Sequence, residues 1–180
     1  MSERNLAIEV MNSMWYDHLG TRSEDRLDRK DWLEAFLDRW NVAPAARPNA
    51  RQLKQLKELR TLLRDILRLA SAGEELAEAQ LEQLNGYLGR VPRRPGLVRR
   101  GGEYVLADAP AEKSWDAFLA ESALSFAAAL AEGRIRRIKL CGNPDCKWVF
   151  YDDTKNGKRQ WCNSEICGNL ARVRRHRDKQ

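Results

Sequence analysis

Cys141-Gly-Asn-Pro-Asp-Cys146 and Cys162-Asn-Ser-Glu-Ile-Cys167 hold all 4 cysteines of the chain, and how they are read decides the fold of its carboxyl end. The two pairs share one internal spacing and are joined by a longer loop. Gly-Asn-Pro-Asp is a run of turn formers that lets the backbone curl around a small centre. Lys147-Trp-Val-Phe-Tyr151 is β-prone, Asp152-Asp-Thr-Lys-Asn-Gly157 ends on an Asn-Gly turn signal, and Lys158-Arg-Gln-Trp161 leads back to the third cysteine. This order predicts a knuckle, then a hairpin of 147–151 with 158–161, then a ligand. Asn163 or Ser164 caps a helix reaching about Asp178, with Cys167 in its first turn, where the helix dipole favours a thiolate. Knuckle, hairpin and ligand-bearing helix make a treble-clef arrangement.

Zinc takes four thiolates as a tetrahedron at about 2.3 Å, and two close cysteine pairs supply them. With Cys141, Cys146, Cys162 and Cys167 all bound, no position is open for water or substrate, so the expected cofactor is one structural Zn²⁺. Free or disulfide-paired cysteines and an iron–sulfur cluster are the other readings of the same residues. Disulfides fit poorly, because Met1-Ser-Glu-Arg-Asn5 leads into only a short apolar stretch interrupted by Glu9, which is unlike a secretory signal. The expected location is the cytoplasm.

The net charge of +6 is uneven. Residues 134–180 contain 13 Lys or Arg against 5 Asp or Glu, whereas the remainder contains 19 against 21. Four thiolates and one Zn²⁺ would still leave the tail at about +6, an excess that favours a polyanionic partner. On the last helix, Ile166, Leu170 and Val173 share a face expected to pack, while Arg172, Arg175 and Lys179 gather opposite. Those three cations, with Lys155, Lys158 and Arg159 of the expected hairpin turn, are the candidate nucleic-acid contacts. A merely solvated charged face is the alternative. Trp148, Phe150, Tyr151 and Trp161 either stack on bases or fill the small core that a metal alone cannot provide.

The first 133 residues read as helices. Leu6, Val10 and Met14 lie at helical spacing, and Asp31 stands as a cap before Trp32, Phe36, Leu37 and Trp40. Pro44 and Pro48 mark a loop. The strongest period runs from Arg51 to Ala70 through Leu53, Leu56, Leu59, Leu63, Ile66 and Leu67, and a second helix is expected from Glu74 to Leu88. Gly101-Gly102, between Leu97-Val and Tyr104-Val-Leu106, predicts the one β-hairpin of this region. An alanine-rich helix then starts at Ser114 or slightly before it and closes at Gly133. The two histidines, His18 and His176, have no companion acid and nucleophile at a recognisable spacing. Asp152-Asp153 suits a turn, and Ser13, Tyr16 and Asp17 are too generic to mark a nucleophile. The chain is expected not to be an enzyme.

Three stretches, Cys141-Gly-Asn-Pro-Asp-Cys-Lys-Trp-Val-Phe-Tyr-Asp152, Asn156-Gly-Lys-Arg-Gln-Trp-Cys162 and Cys167-Gly-Asn-Leu-Ala-Arg-Val-Arg-Arg175, resemble the CGNR zinc-finger family. Its members join this finger to an α-rich amino-terminal region, the ABATE domain, and are described as stress-induced transcriptional regulators of bacteria. The Leu6 to Trp15 segment with Asn12-Ser13, and the Leu97 to Leu106 hairpin, resemble that region too. The resemblance implies an ABATE-like domain over 1–133 and a CGNR-type finger over 134–180, and its metal ligands fall on the same four cysteines. Leu170 departs from it: the family has arginine after Cys-Gly-Asn. The expectation is therefore an α+β, mostly α protein, with a helical amino-terminal domain bearing a small β-hairpin and a carboxyl-terminal treble-clef-like zinc finger. In function it is expected to be a bacterial transcription regulator that binds DNA through its basic helix, with the amino-terminal domain sensing an unknown small-molecule effector or forming a homodimer. The alternative is a structural zinc module for protein–protein contacts without DNA binding.

Overall fold

A computed structural model describes residues 5–40 and 47–177. The densest apolar period becomes α3 (Ala50–Ala72), which buries Leu56, Leu59, Leu63, Ile66 and Leu67. Asn49 Oδ1 accepts from the Gln52 amide while Gln52 Oε1 accepts from the Asn49 amide, so two otherwise unpaired helix-start donors are satisfied reciprocally. Gly73 ends the helix at φ 75°, a left-handed conformation that glycine adopts without a Cβ penalty. Packed on α3 are α1 (Leu6–Met11), α4 (Glu78–Leu88) and α5 (Trp115–Ala131), and α2 (Lys30–Trp40) contributes Leu33, Phe36 and Leu37 to the same core. Trp32, Phe36, Phe118 and Trp115 form a contiguous aromatic chain with successive centroids 5.0, 5.8 and 5.1 Å apart. Ser114 caps α5 by accepting from the Ala117 amide.

Three antiparallel strand pairs complete the fold, β1 (Met14–Tyr16) with β2 (Ser23–Asp25), β3 (Arg93–Arg100) with β4 (Glu103–Pro110), and β5 (Ile138–Leu140) with β6 (Val149–Tyr151). The β3–β4 pair forms around Gly101-Gly102, both at positive φ as a tight hairpin requires. It extends past the expected Leu97–Leu106 core and stands away from the body, with Leu97, Tyr104 and Leu106 about 70% exposed.

Four expectations are corrected. A second pair, β1–β2, exists among the first 133 residues and takes Met14, so the helix expected through Leu6, Val10 and Met14 ends at Met11. Asp31 does not cap α2, which begins at Lys30, and Asp31 instead bonds Arg29 from the first turn. Helix α4 starts at Glu78 rather than Glu74. The carboxyl-terminal hairpin is not formed by 147–151 with 158–161: β6 pairs with β5, in the register Ile138 to Tyr151 and Leu140 to Val149, so the first cysteine pair lies between the strands. The reason is burial, since Ile138 and Val149 both enter the main core, which the polar Lys158-Arg-Gln cannot do.

The carboxyl-terminal segment is thus continuous with the helical body. Asn12 bonds both backbone groups of Val149, donating from Nδ2 to the carbonyl at 2.8 Å and accepting from the amide at 2.9 Å. Arg64 of α3 donates to the Met11 and Lys147 carbonyls. Beneath them the buried Arg60 meets Asp25 through two 2.7 Å bonds and also donates to Ser13 Oγ, so its charge is paired where burial would otherwise be costly. Among the described residues, no helix is long and apolar enough to cross a membrane.

Candidate metal centre and basic helix

The knuckle Cys141–Cys146 leaves β5 and returns to β6, closed by the Cys141 amide bonded to the Trp148 carbonyl and the Cys146 amide to that of Asn143. Lys147 turns the chain at φ 51°, a left-handed conformation uncommon outside glycine, and its carbonyl is held by Arg64. Gly142 packs closely, because a Cβ there would lie 3.1 Å from the Gln160 carbonyl and would push that backbone outward. On the other side, Asn163 Oδ1 accepts from the Glu165 and Ile166 amides and starts a single π turn, Ser164–Gly168, which carries Cys167 into α6 (Asn169–Arg177).

These elements bring Cys146, Cys162 and Cys167 together, with the buried Cys141 in the same cluster. Cys146 Sγ is 3.6 Å from Cys162 Sγ, which is 3.8 Å from Cys167 Sγ. Sulfurs bound tetrahedrally at about 2.3 Å sit about 3.8 Å apart, so the spacing suits one shared ion. The neighbouring Cys146 and Cys162 thiols pull that of Cys141 down, while Cys141 pushes Cys146 up, and Cys141 with Cys146 raises Cys162. Thiols this crowded cannot all ionise unless a cation neutralises them, as a divalent metal does. The donor set fits one structural zinc ion.

The tight group of donors is completed by His18 and does not include Cys141. His18 Nδ1 lies 3.2 Å from Cys167 Sγ, and the donor atoms of His18, Cys146, Cys162 and Cys167 all lie within 4.8 Å of one another. Nothing near His18 in sequence signals this, because its partner is 149 positions away. Asn143, also absent from the expected site, is buried between the parts. Its Nδ2 donates to the His18 carbonyl at 2.7 Å and lies 3.7 Å from Cys167 Sγ, and its Oδ1 accepts from Arg174.

Helix α6 is turned differently from the expectation. Ile166 and Val173 are 43% and 48% exposed, and no residue of α6 is buried. The inward cation is Arg174, which pairs with Asp145 at 2.5 Å. Arg172 and Arg175 are exposed, and among the described residues Arg172 bonds only Asn169 of its own helix. Lys179 lies outside the described residues. Lys155 and Lys158 are exposed, whereas Arg159 is engaged inward, donating to the Trp161 and Cys162 carbonyls and lying over the Phe150 ring at 4.8 Å. Phe150 is buried, and Trp148 and Trp161 pack around the thiols. Asp152 is fully buried as a turn-former, binding Lys139, Thr154 and the Arg159 amide.

The family model of the CGNR zinc finger matches residues 137–180. That of the ABATE family, described as "Putative stress-induced transcription regulator", matches residues 4–133. No curated protein matches the chain.

Proposed function

Because this chain belongs to the ABATE family and ends in a CGNR zinc finger, we propose that it is a DNA-binding transcription regulator whose basic α6 meets the phosphate backbone. The observation that carries this reading is the exposure of Arg172 and Arg175 on a short helix that has spent Arg174 on its own docking. Lys155 and Lys158 add charge from the loop before the second cysteine pair. Arg159 leaves the contact set, since its guanidinium is occupied. Leu170 removes the arginine of the family signature, which lowers the charge available without disturbing a buried position.

In this reading Cys141, Cys146, Cys162 and Cys167 bind the zinc, and His18 donates an N–H to the Cys167 thiolate. Two ligands on one ion at a tetrahedral angle, nitrogen at about 2.1 Å and sulfur at about 2.3 Å, would be about 3.6 Å apart. The observed 3.2 Å is shorter and suits an N–H···S bond. A knuckle inside a hairpin, a loop and a ligand at the start of a helix support the treble-clef description. No catalytic role is assigned: Ser13 Oγ donates to Val10 and accepts from Arg60, and Asp17 is bonded to Thr21. The exposed Leu97, Tyr104 and Leu106 of the β3–β4 ribbon are the surface we assign to pairing with a second copy. Location in the cytoplasm accords with a regulator of transcription.

The second reading, a zinc module that binds protein and not DNA, is favoured by the exposed Ile166 and Val173. Salt separates the two. Phosphate contacts make log K fall linearly with log salt, and Arg172→Glu with Arg175→Glu should abolish retention of duplex DNA while zinc content stays at one equivalent. No retention by the unmodified chain at low salt, or a salt slope near zero, would sink the DNA reading.

A further inference from the structure

A cavity of about 800 Å³ opens where the end of α3, the turn before β5, the knuckle and α6 meet. Its walls include Ile135, Leu140, Pro144 and Trp161, so much of the lining is apolar. Its charged side chains are all cationic: Arg136, Lys139, Arg159, Arg174 and Arg175 line it, and no aspartate or glutamate does. Three of these are already committed, Lys139 to Asp152, Arg159 to backbone carbonyls and Arg174 to Asp145. Arg136 and Arg175 have no carboxylate partner among the described residues, and Arg175 makes only a 3.4 Å contact with the Ala171 carbonyl of its own helix. A volume within the range of small-molecule sites, with an apolar wall and unpaired guanidiniums at its edge, calls for a ligand with a flat apolar body and one anionic head. A polar, fully hydrated anion would leave the Trp161 wall uncovered, and a neutral apolar molecule would leave the two cations without a counter-charge.

We propose that this cavity binds an amphipathic organic anion, with an aromatic or aliphatic body against Trp161 and a carboxylate or sulfonate head on Arg136 and Arg175. Binding at the cavity stands by itself. Its regulatory consequence rests on the DNA reading above, because Arg175 serves both the cavity and the phosphate-facing surface of α6. A bound anion neutralises that cation and brings negative charge beside α6, so ligand and DNA compete.

The test uses the zinc-loaded full chain and 1-anilinonaphthalene-8-sulfonate as probe, followed by isothermal titration. Saturable binding at one equivalent is expected. Arg136→Gln and Arg175→Gln should each weaken it at least tenfold, Ala171→Trp should block it by filling the wall, and the uncharged N-phenyl-1-naphthylamine should bind at least tenfold more weakly. Absence of saturable binding, an affinity indifferent to both arginine substitutions, or equal binding of the neutral analogue would each overturn the site. In a second arm, probe at the lowest concentration that saturates the parent chain should release duplex DNA from the parent but much less from Arg136→Gln, which keeps its DNA while binding the probe more weakly. DNA that stays bound while the probe occupies the cavity overturns the competition. A chain that takes the probe and never binds DNA upholds the cavity and removes the DNA reading instead.

Discussion

Replacing Asn12 with alanine should undo the attachment of the metal-binding segment to the helical body. Asn12 is 5% exposed, and its amide completes what amounts to one extra rung of backbone pairing on β6, bonding both the N–H and the C=O of the fully buried Val149. Because one end of the side chain donates and the other accepts, a flipped amide would break both bonds, so its orientation is fixed. Alanine leaves both backbone groups of the buried Val149 without their side-chain partners. Each orphaned group costs about 1–3 kcal/mol, and partial relaxation makes a total of about 2–4 kcal/mol reasonable. With a urea dependence of about 2 kcal/mol per molar, the unfolding midpoint should fall by about 1–2 M. The assay is urea unfolding of the zinc-loaded chain followed by tryptophan fluorescence, with hydrogen exchange of the Val149 amide as the local readout. That amide should exchange about 30- to 1000-fold faster, the same free energy expressed as an opening constant. Asn12→Asp keeps the acceptor for the Val149 amide but faces its carbonyl with another oxygen, so it should destabilise at least as much. A midpoint within about 0.2 M of the parent for both variants would show that the bonds are not what joins the two parts.

Three further outcomes follow from the same contacts. Cys141→Ser should lose most of the bound zinc, whereas His18→Ala should keep one equivalent and bind it about 10- to 100-fold more weakly, as loss of a partner to a ligand does. Elemental analysis giving the reverse pattern would make His18 a ligand in place of Cys141. Asp152 is held well below the usual carboxylate range: burial raises it, but the Lys139 ammonium, Thr154 and the Arg159 amide together outweigh burial. Its folded value lies below its unfolded value near 3.9, so its contribution is complete above about pH 4 and is lost as pH falls further. Asp152→Asn should therefore melt lower than the parent at pH 7, and the gap should narrow at pH 3; a gap that stays constant argues against the pairing. Leu97→Ser with Leu106→Ser should leave the melting temperature nearly unchanged and shift any dimer to monomer in sedimentation, and an unchanged sedimentation coefficient of a dimeric parent would exclude the ribbon as the interface.

The helical body was legible because its signals are local. The leucine spacing of α3, Ser114 before α5 and the Gly101-Gly102 turn each act within a few residues. The strands β1, β2 and β5 were not, because each has only three residues, too few to display alternation, whereas β6 lay within the β-prone 147–151 and only its partner was misplaced. In β5–β6 the connecting segment is the knuckle itself, not a turn dipeptide. The Asn156-Gly157 signal is real as a turn, with Gly157 at φ 59°, but Arg137 and Lys139 hold that turn through its carbonyls, so it bends a loop and not a hairpin.

The orientation of α6 was hidden by a register change. Placing Ile166, Leu170 and Val173 on one face assumes an uninterrupted helix, yet Ile166 belongs to the π turn Ser164–Gly168, whose extra residue shifts it relative to the residues after Asn169. What seats α6 is polar: Arg174 reaches Asp145 and Asn143, both in the knuckle. Asn143 in turn bonds the His18 carbonyl and lies beside the Cys167 sulfur, so one buried amide touches the helical body, the metal centre and the basic helix. Those contacts exist only while the knuckle keeps its shape, and a knuckle of this size depends on metal binding for its folding energy. The zinc, though closed to substrate, thus sets where Arg172 and Arg175 stand relative to the core. A surface assigned to DNA is positioned by the ion without the ion touching it.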